Sequence, residues 1–411
     1  MNKWEELEKL HDEILAEMDL TREFSDEEVW NLVDEAVGRY ARTYFLSLQE
    51  REQLGQQLFN SMRKLDVLQE LLEDETITEI MVNGSDHIFY EKQGRLYESG
   101  KHFSSREKLG DVIQQIAGYC NRMVNEASPI VDARLSDGSR VNIVLEPVAL
   151  EGAAISIRKF PKTPLGMEEL IGLGALTREA ADYLEVLVKS GYNIFVSGGT
   201  GSGKTTFLNA LSQYIPRDER IITIEESAEL QLLDKPNLVR LETRNVNTEG
   251  VTPITIRDLI RTALRMRPER IIVGECRGAE ALDVLQAMNT GHDGSLSTGH
   301  ANSCGDMLSR LETMVLMGME LPLAAIRSQI ASGIDILIHL GRLRDKSRKV
   351  LSIAESTGME AEAITWRELF RFEETPGSGE RVEGHLIRVG NLQAVEKCKR
   401  AGYILPEGGD S

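Results

Sequence analysis

Four cysteines in 411 residues (Cys120, Cys276, Cys304 and Cys398), far apart and with no CxxC pair, offer neither a disulfide frame nor a structural zinc site. Free thiols in a reducing compartment fit that pattern. Long apolar runs are missing too: none approaches ~18 residues, so no membrane-spanning helix is expected. The N-terminal stretch MNKWEELEKLHDEILAEMDL is acidic and lacks a basic segment leading into an apolar one, which excludes a secretory signal. The chain therefore reads as cytoplasmic. Positive charge is scarce, 47 Lys and Arg against 66 Asp and Glu, for a net charge of −19. Such a surface repels nucleic-acid backbones and counts against a DNA translocase, so no nucleic-acid partner is expected. Internal repeats and low-complexity tracts are absent as well.

What is present is enough apolar residue, 41%, for true cores, in a chain too long for one ordinary domain. The charge is uneven: residues 1–80 hold 21 acids against 8 bases, a balance of −13. Residues 1–72 read as an acidic helical extension. Trp4, Leu7, Leu10, Ile14, Leu15 and Met18 recur at helical spacing, and Ser25 to Glu28 forms a capping box ahead of Val29, Leu32, Val33, Ala36 and Val37. Its acidic faces are those of a solvated appendage, or of a docking module for a partner.

Residues 73–160 read as an α+β domain. ITEIMVNG, HIFYEK and RLYESG are short strands with a turn at Gln93-Gly94; a helix capped by Ser104 and Glu107 follows. VDARLSDGSRVNIVL is a hairpin in which Asp137-Gly138 supplies positive-φ residues, and AAISIRKF is a further strand. Two prolines and a glycine mark a linker over 161–166. From 167 to 350 strands and helices alternate as in an α/β core. NIFVSGG, RIITIEE, LVRLET, RIIVGE and GSLSTGH are the strands; TFLNALSQY, IRDLIRTALRM, AEALDVLQAMN, SCGDMLSRLETMVLM and LPLAAIRSQIA are helices. The periodicity weakens into a strand-and-turn tail over 351–411.

One motif dominates. Gly198 to Thr205 reads G-x-x-x-x-G-K-T between a strand and a helix, the arrangement that cradles nucleotide phosphates. Glycines let successive N–H groups of Gly199, Thr200, Gly201, Ser202 and Gly203 converge, and the helix N-terminus at Lys204, Thr205 and Thr206 adds positive potential. Lys204 would neutralise β/γ oxygens and the Thr205 hydroxyl would ligate Mg²⁺. Phosphoryl transfer also needs acids. RIIVGE ends in Glu275, suited to hold a metal-bound water; TIEESAEL offers Glu225, Glu226 and Glu229, one of which would polarise the attacking water. His300 ends GSLSTGH where an imidazole would meet either the γ-phosphate or a neighbouring protomer. Arg257, Arg261 and Arg265 fall on one helix face, as a solvated basic stripe or a subunit-seam arginine finger. The basic loop GRLRDKSRKV reads as solvated charge around a hairpin turn, or as a contact for anionic lipid.

GGTGSGKTT, TIEESAEL, RMRPERIIVGECRG and TGHDGSLSTGHANS stand in the order found in secretion ATPases. The chain resembles the superfamily of type II secretion, type IV pilus and type IV secretion motors, from about residue 76 to 370. Within it the CpaF/TadA branch, which drives assembly of Flp (tight-adherence) pili, is most similar; VDARLSDGSRVNIV, ISIRKF, SRLETMVLM and SQIASGIDILIHLGRLRD carry that likeness. The resemblance implies a RecA-like P-loop ATPase core behind the α+β domain, in a homo-hexameric ring that uses ATP and Mg²⁺. It implies a peripheral position at the inner face of the cytoplasmic membrane, against a polytopic platform protein, moving pilin indirectly. TIEESAEL becomes the Asp box, RIIVGE the Walker B and Gly299-His300 part of the His box. Arg140 and Arg158, at strand ends of the upstream domain, become better candidates than the helical stripe to reach the γ-phosphate, and which arginine does so stays open. Glu226 departs from the family's usual Asp, which leaves Glu225 as the expected catalytic carboxylate, while the division of labour among Glu225, Glu226 and Glu229 stays open. The four-cysteine zinc insertion of the type II branch is missing. A type IV secretion motor is the alternative; a small-molecule kinase lacks the Asp-box and His-box segments, and a GTP switch lacks [NT]KxD.

Overall fold

The computed structural model describes residues 3–18, 21–160, 163–244, 252–377 and 379–406. They divide into two compact units, one up to residue 160 and one from 163 onward. Pro161 and Lys162 of the expected linker lie outside the described residues. Among the described residues, no helix is long and apolar enough to cross a membrane.

In the first unit, α1 (Lys3–Glu17), α2 (Asp26–Tyr44) and α3 (Leu48–Arg63) bury Leu10, Ile14, Val29, Val33, Val37 and Leu58 in a core of their own. Ser25 and Glu28 make the expected capping box, and Ser47 with Glu50 makes a second. The extension expected over 1–72 ends earlier. Leu65 together with Leu68 and Leu71 of α4 (Leu68–Glu73) packs into the neighbouring sheet core, because its apolar face matches that sheet and not the bundle.

That sheet has the order β3-β2-β1-β6-β5-β4, antiparallel throughout. Its strands are β1 (Ile77–Asn83), β2 (His87–Lys92), β3 (Arg95–Glu98), β4 (Ile130–Arg134), β5 (Arg140–Val144) and β6 (Ala154–Arg158). Alternate residues such as Ile80, Val131, Val141, Ile143 and Ile157 face α5 (Arg106–Tyr119), so one face is apolar. Two local expectations shift. The α5 cap is Ser105, whose Oγ accepts from Lys108 N–H at 3.1 Å, one residue beyond Ser104. In the β4–β5 hairpin only Gly138 takes a positive φ (+90°); Asp137 instead accepts from Ser139 N–H and Oγ–H, each at 2.9 Å.

The second unit holds a nine-stranded sheet, β15-β14-β13-β12-β7-β11-β10-β8-β9. β12 (Ile336–Arg342), β7 (Ile194–Gly198), β11 (Leu296–Gly299), β10 (Arg270–Val273), β8 (Ile221–Glu225) and β9 (Leu238–Glu242) run parallel. Helices α6 (Met167–Gly172), α7 (Arg178–Lys189) and α8 (Lys204–Gln213) cover one face. The other is covered by α9 (Ile256–Ala263), α10 (Ala281–Asn289), α11 (Cys304–Gly318) and α12 (Leu323–Gly333). Burial on both faces explains why β7, β8, β10 and β12 read as largely apolar runs, whereas β9 at the sheet edge is only partly buried.

The boundary expected at 350 falls inside a strand. β13 (Arg348–Glu360), β14 (Ala363–Glu374) and β15 (Gly384–Arg388) extend the sheet antiparallel from β12. Val350, Ile353, Phe370, Leu386 and Leu392 enter the same core as α7 and α8, and Tyr183 Oη accepts from Leu392 N–H at 3.1 Å. A short helix α13 (Glu396–Ala401) follows. The segment that looked like a tail is thus part of the core.

Candidate active site

The first parallel strand to form the site is β7, flanked by β11 and β12, and its C-terminal end delivers the glycine loop. Gly201 (φ +69°) and Gly203 (φ +92°) take conformations that cost other residues dearly. The loop is tight at its base: a Cβ on Gly198 would stand 2.5 Å from Ser202 Oγ and 2.6 Å from Leu340 O. It is open at its mouth, since a Cβ on Gly199 would meet nothing within 4 Å. A cavity of about 620 Å³ lies there, lined by Gly199, Thr200, His300, Asp306 and Arg310 among others. Gly203 C=O accepts the first helical bond from Phe207 N–H (2.9 Å), so the N-terminal turn of α8, Lys204 to Thr206, opens on the loop.

A chain of polar contacts then crosses three strand ends. Lys204 Nζ donates to Gly198 O (3.2 Å) and Gly199 O (3.1 Å) and lies 3.3 Å from His300 Nδ1. With Nδ1 as acceptor the ring proton sits on Nε2, which is 2.7 Å from Glu275 Oε1, at an angle short of a hydrogen bond. Glu275 Oε2 accepts from Arg277 Nη2 (2.6 Å) and Nε (2.9 Å), and Arg277 Nη1 reaches Glu226 Oε2 at 3.1 Å. Partial burial, then the charges of Lys204, Arg277 and Arg310, lower the His300 pKa against the pull of Glu275. That shift favours the neutral ring, which can accept on one nitrogen and donate on the other.

The Asp-box acids separate by environment. Glu225 is buried at 3% exposure; its Oε2 accepts from Glu229 N–H (2.7 Å) and Leu230 N–H (2.9 Å), and its Oε1 has no hydrogen-bond partner among the described residues. Burial pushes its pKa up to about 7, although the two N–H donors and Arg240 oppose the shift. Glu226 is exposed and paired with Arg277; Glu229 is half-buried. Behind Glu275, Thr298 Oγ1 donates to Gly274 O (2.7 Å) and Cys276 N–H to Thr298 O (2.8 Å), tying the end of β10 to β11.

The arginines sort themselves as well. Arg257 and Arg261 converge on the buried carboxylate of Asp283 at 2.7 and 3.2 Å, which gives two of the three arginines in the stripe an internal partner. Arg140 and Arg158 stand in the first unit as direct cross-strand partners, with Arg134 opposite Arg140 on β4. Two participants escaped sequence reasoning. Arg277 lies only two residues past Glu275, and that proximity was the available signal. Arg348, in the loop read as solvated charge, donates through Nε to Gly201 O at 2.8 Å.

A parallel sheet of this order, with a glycine loop after a central strand and carboxylates at two neighbouring strand ends, defines a RecA-like P-loop core preceded by an α+β domain and a helical extension. Residues 62–403 match the family described as Type II/IV secretion system protein, and the chain belongs to that family. A putative conjugal transfer protein of Mycobacterium tuberculosis is 36% identical over 294 residues, 70% of this chain and 83% of the relative. The type IV secretion system protein VirB11 of Brucella suis is 34% identical over 303 residues, 67% of this chain and 84% of that protein. Among solved structures, the ATPase DotB of Legionella pneumophila is similar, with 25% identity, a TM-score of 0.51 and coverage of 69% of this chain and 77% of that one.

Proposed function

We propose that the protein is an ATP-hydrolysing motor of a type II/IV secretion or pilus-assembly machine, working as a homo-hexamer at the inner face of the cytoplasmic membrane. The observation that carries this reading is the placement of Lys204 Nζ between the glycine-loop carbonyls and the His300–Glu275 pair. A triphosphate with Mg²⁺ fits the residues present. Gly199 opens on the cavity, and Ser202 Oγ is buried with no hydrogen-bond partner among the described residues. Thr205 and Glu275 would hold the metal, which would offset charge on the β and γ oxygens.

The chain's own residues supply the rest. Lys204 exchanges its loop carbonyls for phosphate oxygens, and the N–H groups from Gly199 to Thr206 cradle the phosphates. Glu225 Oε1, buried and unpartnered with a pKa near neutrality, takes the proton-accepting role toward water, and Glu229 N–H holds it in place. His300 orients Glu275 and approaches the γ-phosphate. Arg140 and Arg158 supply cationic charge to the transition state from the first unit. Full-length protein with Mg²⁺ and ATP provides the test: Lys204→Ala brings hydrolysis to background, and equal turnover by the variant removes the P-loop assignment.

The machine driven is an Flp/Tad-type pilus, engaged through a polytopic membrane platform protein that hands on pilin; the quoted sequence likeness to the CpaF/TadA branch supports this. A second reading, a type IV secretion motor, is favoured by the VirB11 relative. Cells lacking the gene separate them: loss of surface pili supports the first, and loss of macromolecular transfer with pili intact supports the second.

A further inference from the structure

Two features stand outside the function just described, the basic loop at 341–350 and the sheet extension beyond it. The structure joins them. β12 and β13 form a hairpin in which Arg342 and Arg348 are register partners at the mouth of the turn. The turn is fastened on every side. Asp345 accepts from Ser347 N–H (3.0 Å), Ser347 Oγ–H (2.6 Å) and Val382 N–H (2.9 Å), and these donors hold its carboxyl down at about 2. Arg344 donates to Gly379 O (2.8 Å) and to Glu374 on β14 (2.9 Å). On the next residues, Lys349 Nζ reaches Gly174 O (2.7 Å) and Val350 N–H reaches Ala175 O (2.8 Å).

From this braced turn, Arg348 reaches the phosphate loop. Its Nε donates to Gly201 O at 2.8 Å, and its Cδ would stand 3.4 Å from a Cβ on Gly203. Arg342 Nη1 would be 3.7 Å from a Cβ on Gly201. A trans peptide is planar, with C=O and N–H pointing in opposite directions. Holding the Gly201 carbonyl outward therefore aims the next N–H, that of Ser202, back across the loop, where it lies 3.3 Å from Gly199 O. Glycine at φ +69° offers little resistance to a peptide flip of its own, and a flipped peptide would present a carbonyl oxygen to an incoming phosphate. A charged donor on that carbonyl is a strong restraint.

We propose that Arg348 is a positioning residue for nucleotide binding: it fixes the Gly201–Ser202 peptide so that the phosphate loop is preformed, and the C-terminal sheet extension exists in part to brace it. The proposal rests on the reading of this loop as the ATP site. Without Arg348 the loop samples both peptide orientations, which taxes binding without changing chemistry in the bound state.

The test uses full-length protein, Mg²⁺ and ATP. Arg348→Ala raises the Kd and KM for ATP about tenfold, the loss of one charge-assisted restraint, while kcat at saturation stays within about twofold. Arg348→Lys, which keeps a cationic donor, recovers most of the affinity. Unchanged Kd and KM in Arg348→Ala overturn the proposal. So does a loss of affinity that Arg348→Lys does not repair and that tracks a fall in Tm, the mark of a merely structural role. If Arg348→Ala does not fold, Arg348→Gln is judged by the same split of KM against kcat. Wild-type protein that binds no ATP refutes the site assignment itself and this inference with it; wild-type binding with an indifferent Arg348→Ala refutes this inference alone.

Discussion

Glu225 lies against Gly274 so closely that a Cβ on the glycine would stand 2.9 Å from Glu225 Cγ. The two residues end neighbouring parallel strands, and Gly274 N–H still donates to Ile224 O at 2.9 Å. The TIEESAEL and RIIVGE segments are therefore packed as one piece, with Glu275 carried on the next residue. Gly274→Ala must push Glu225 aside or part the strands, at a cost of about 1–3 kcal/mol. Chemical denaturation reads that loss, and hydrolysis falls further than nucleotide affinity does. An alanine variant of wild-type stability and turnover would show that the contact is slack.

Glu225 carries a pH signature. An unfolded glutamate titrates near 4.5 and this one near 7, so between those values the folded protein binds the extra proton. Stability from this group is complete well below about 4.5 and is lost as pH rises from there through about 7, a difference of about 3 kcal/mol. Glu225→Gln keeps an oxygen for the Glu229 and Leu230 N–H groups and carries no charge to bury. Its Tm should match wild type near pH 5 and exceed it at pH 8, while turnover falls because the proton acceptor is gone. A Tm difference independent of pH would show that Glu225 is not protonated in the folded state.

Glu275→Gln separates binding from chemistry. The glycine loop and Lys204 are intact in the variant, so ATP affinity, followed by a fluorescent nucleotide, stays within a few-fold. Hydrolysis drops on the order of 10²-fold or more, because one of the groups that stabilise developing charge is removed. Normal hydrolysis would reduce RIIVGE to a core strand.

Much of this site was legible because its chemistry is local in sequence. Gly198 to Thr205 is one contiguous curl, and RIIVGE and RIITIEE announce buried strands by apolar runs that end in an acid. Parallel order then brings Lys204, His300 and Glu275 together without further instruction. What stayed hidden depends on distance along the chain. Arg348 meets Gly201 from 147 residues away, and its surroundings read as solvated charge until β12–β13 pairing points it at the loop. Beyond 350, alternation on strands with one face partly exposed gave a weak pattern, and only Leu392 against Tyr183 and Phe370 in the core reveal that the segment is integral. Glu225 is the expected catalytic carboxylate, but its burial beside an exposed Glu226 was out of reach, because adjacent residues of a strand point to opposite sides and the sequence does not say which is buried.

The source of the transition-state cation decides whether the proposed ring assembly takes part in chemistry. Arg140 faces Arg158 directly across β5 and β6, and Arg134 faces Arg140 across β4 and β5; Glu79, opposite Arg158 on β1, stands 3.9 Å from it. Like charges set opposite one another weaken a sheet. Removing one should leave Tm unchanged or slightly higher. Arg140→Ala or Arg158→Ala should nevertheless cut ATP turnover, by up to about 10³-fold where the guanidinium meets the transferring phosphoryl group. Nucleotide affinity and mass by light scattering, a hexamer with an ATP analogue, should hold. Arg310, which lines the cavity in the second unit, is the control. If Arg310→Ala alone abolishes turnover while the Arg140 and Arg158 variants hydrolyse normally, the cation comes from the core that binds the nucleotide. A monomer with full specific activity at high dilution would go further, because hydrolysis would then need no neighbour.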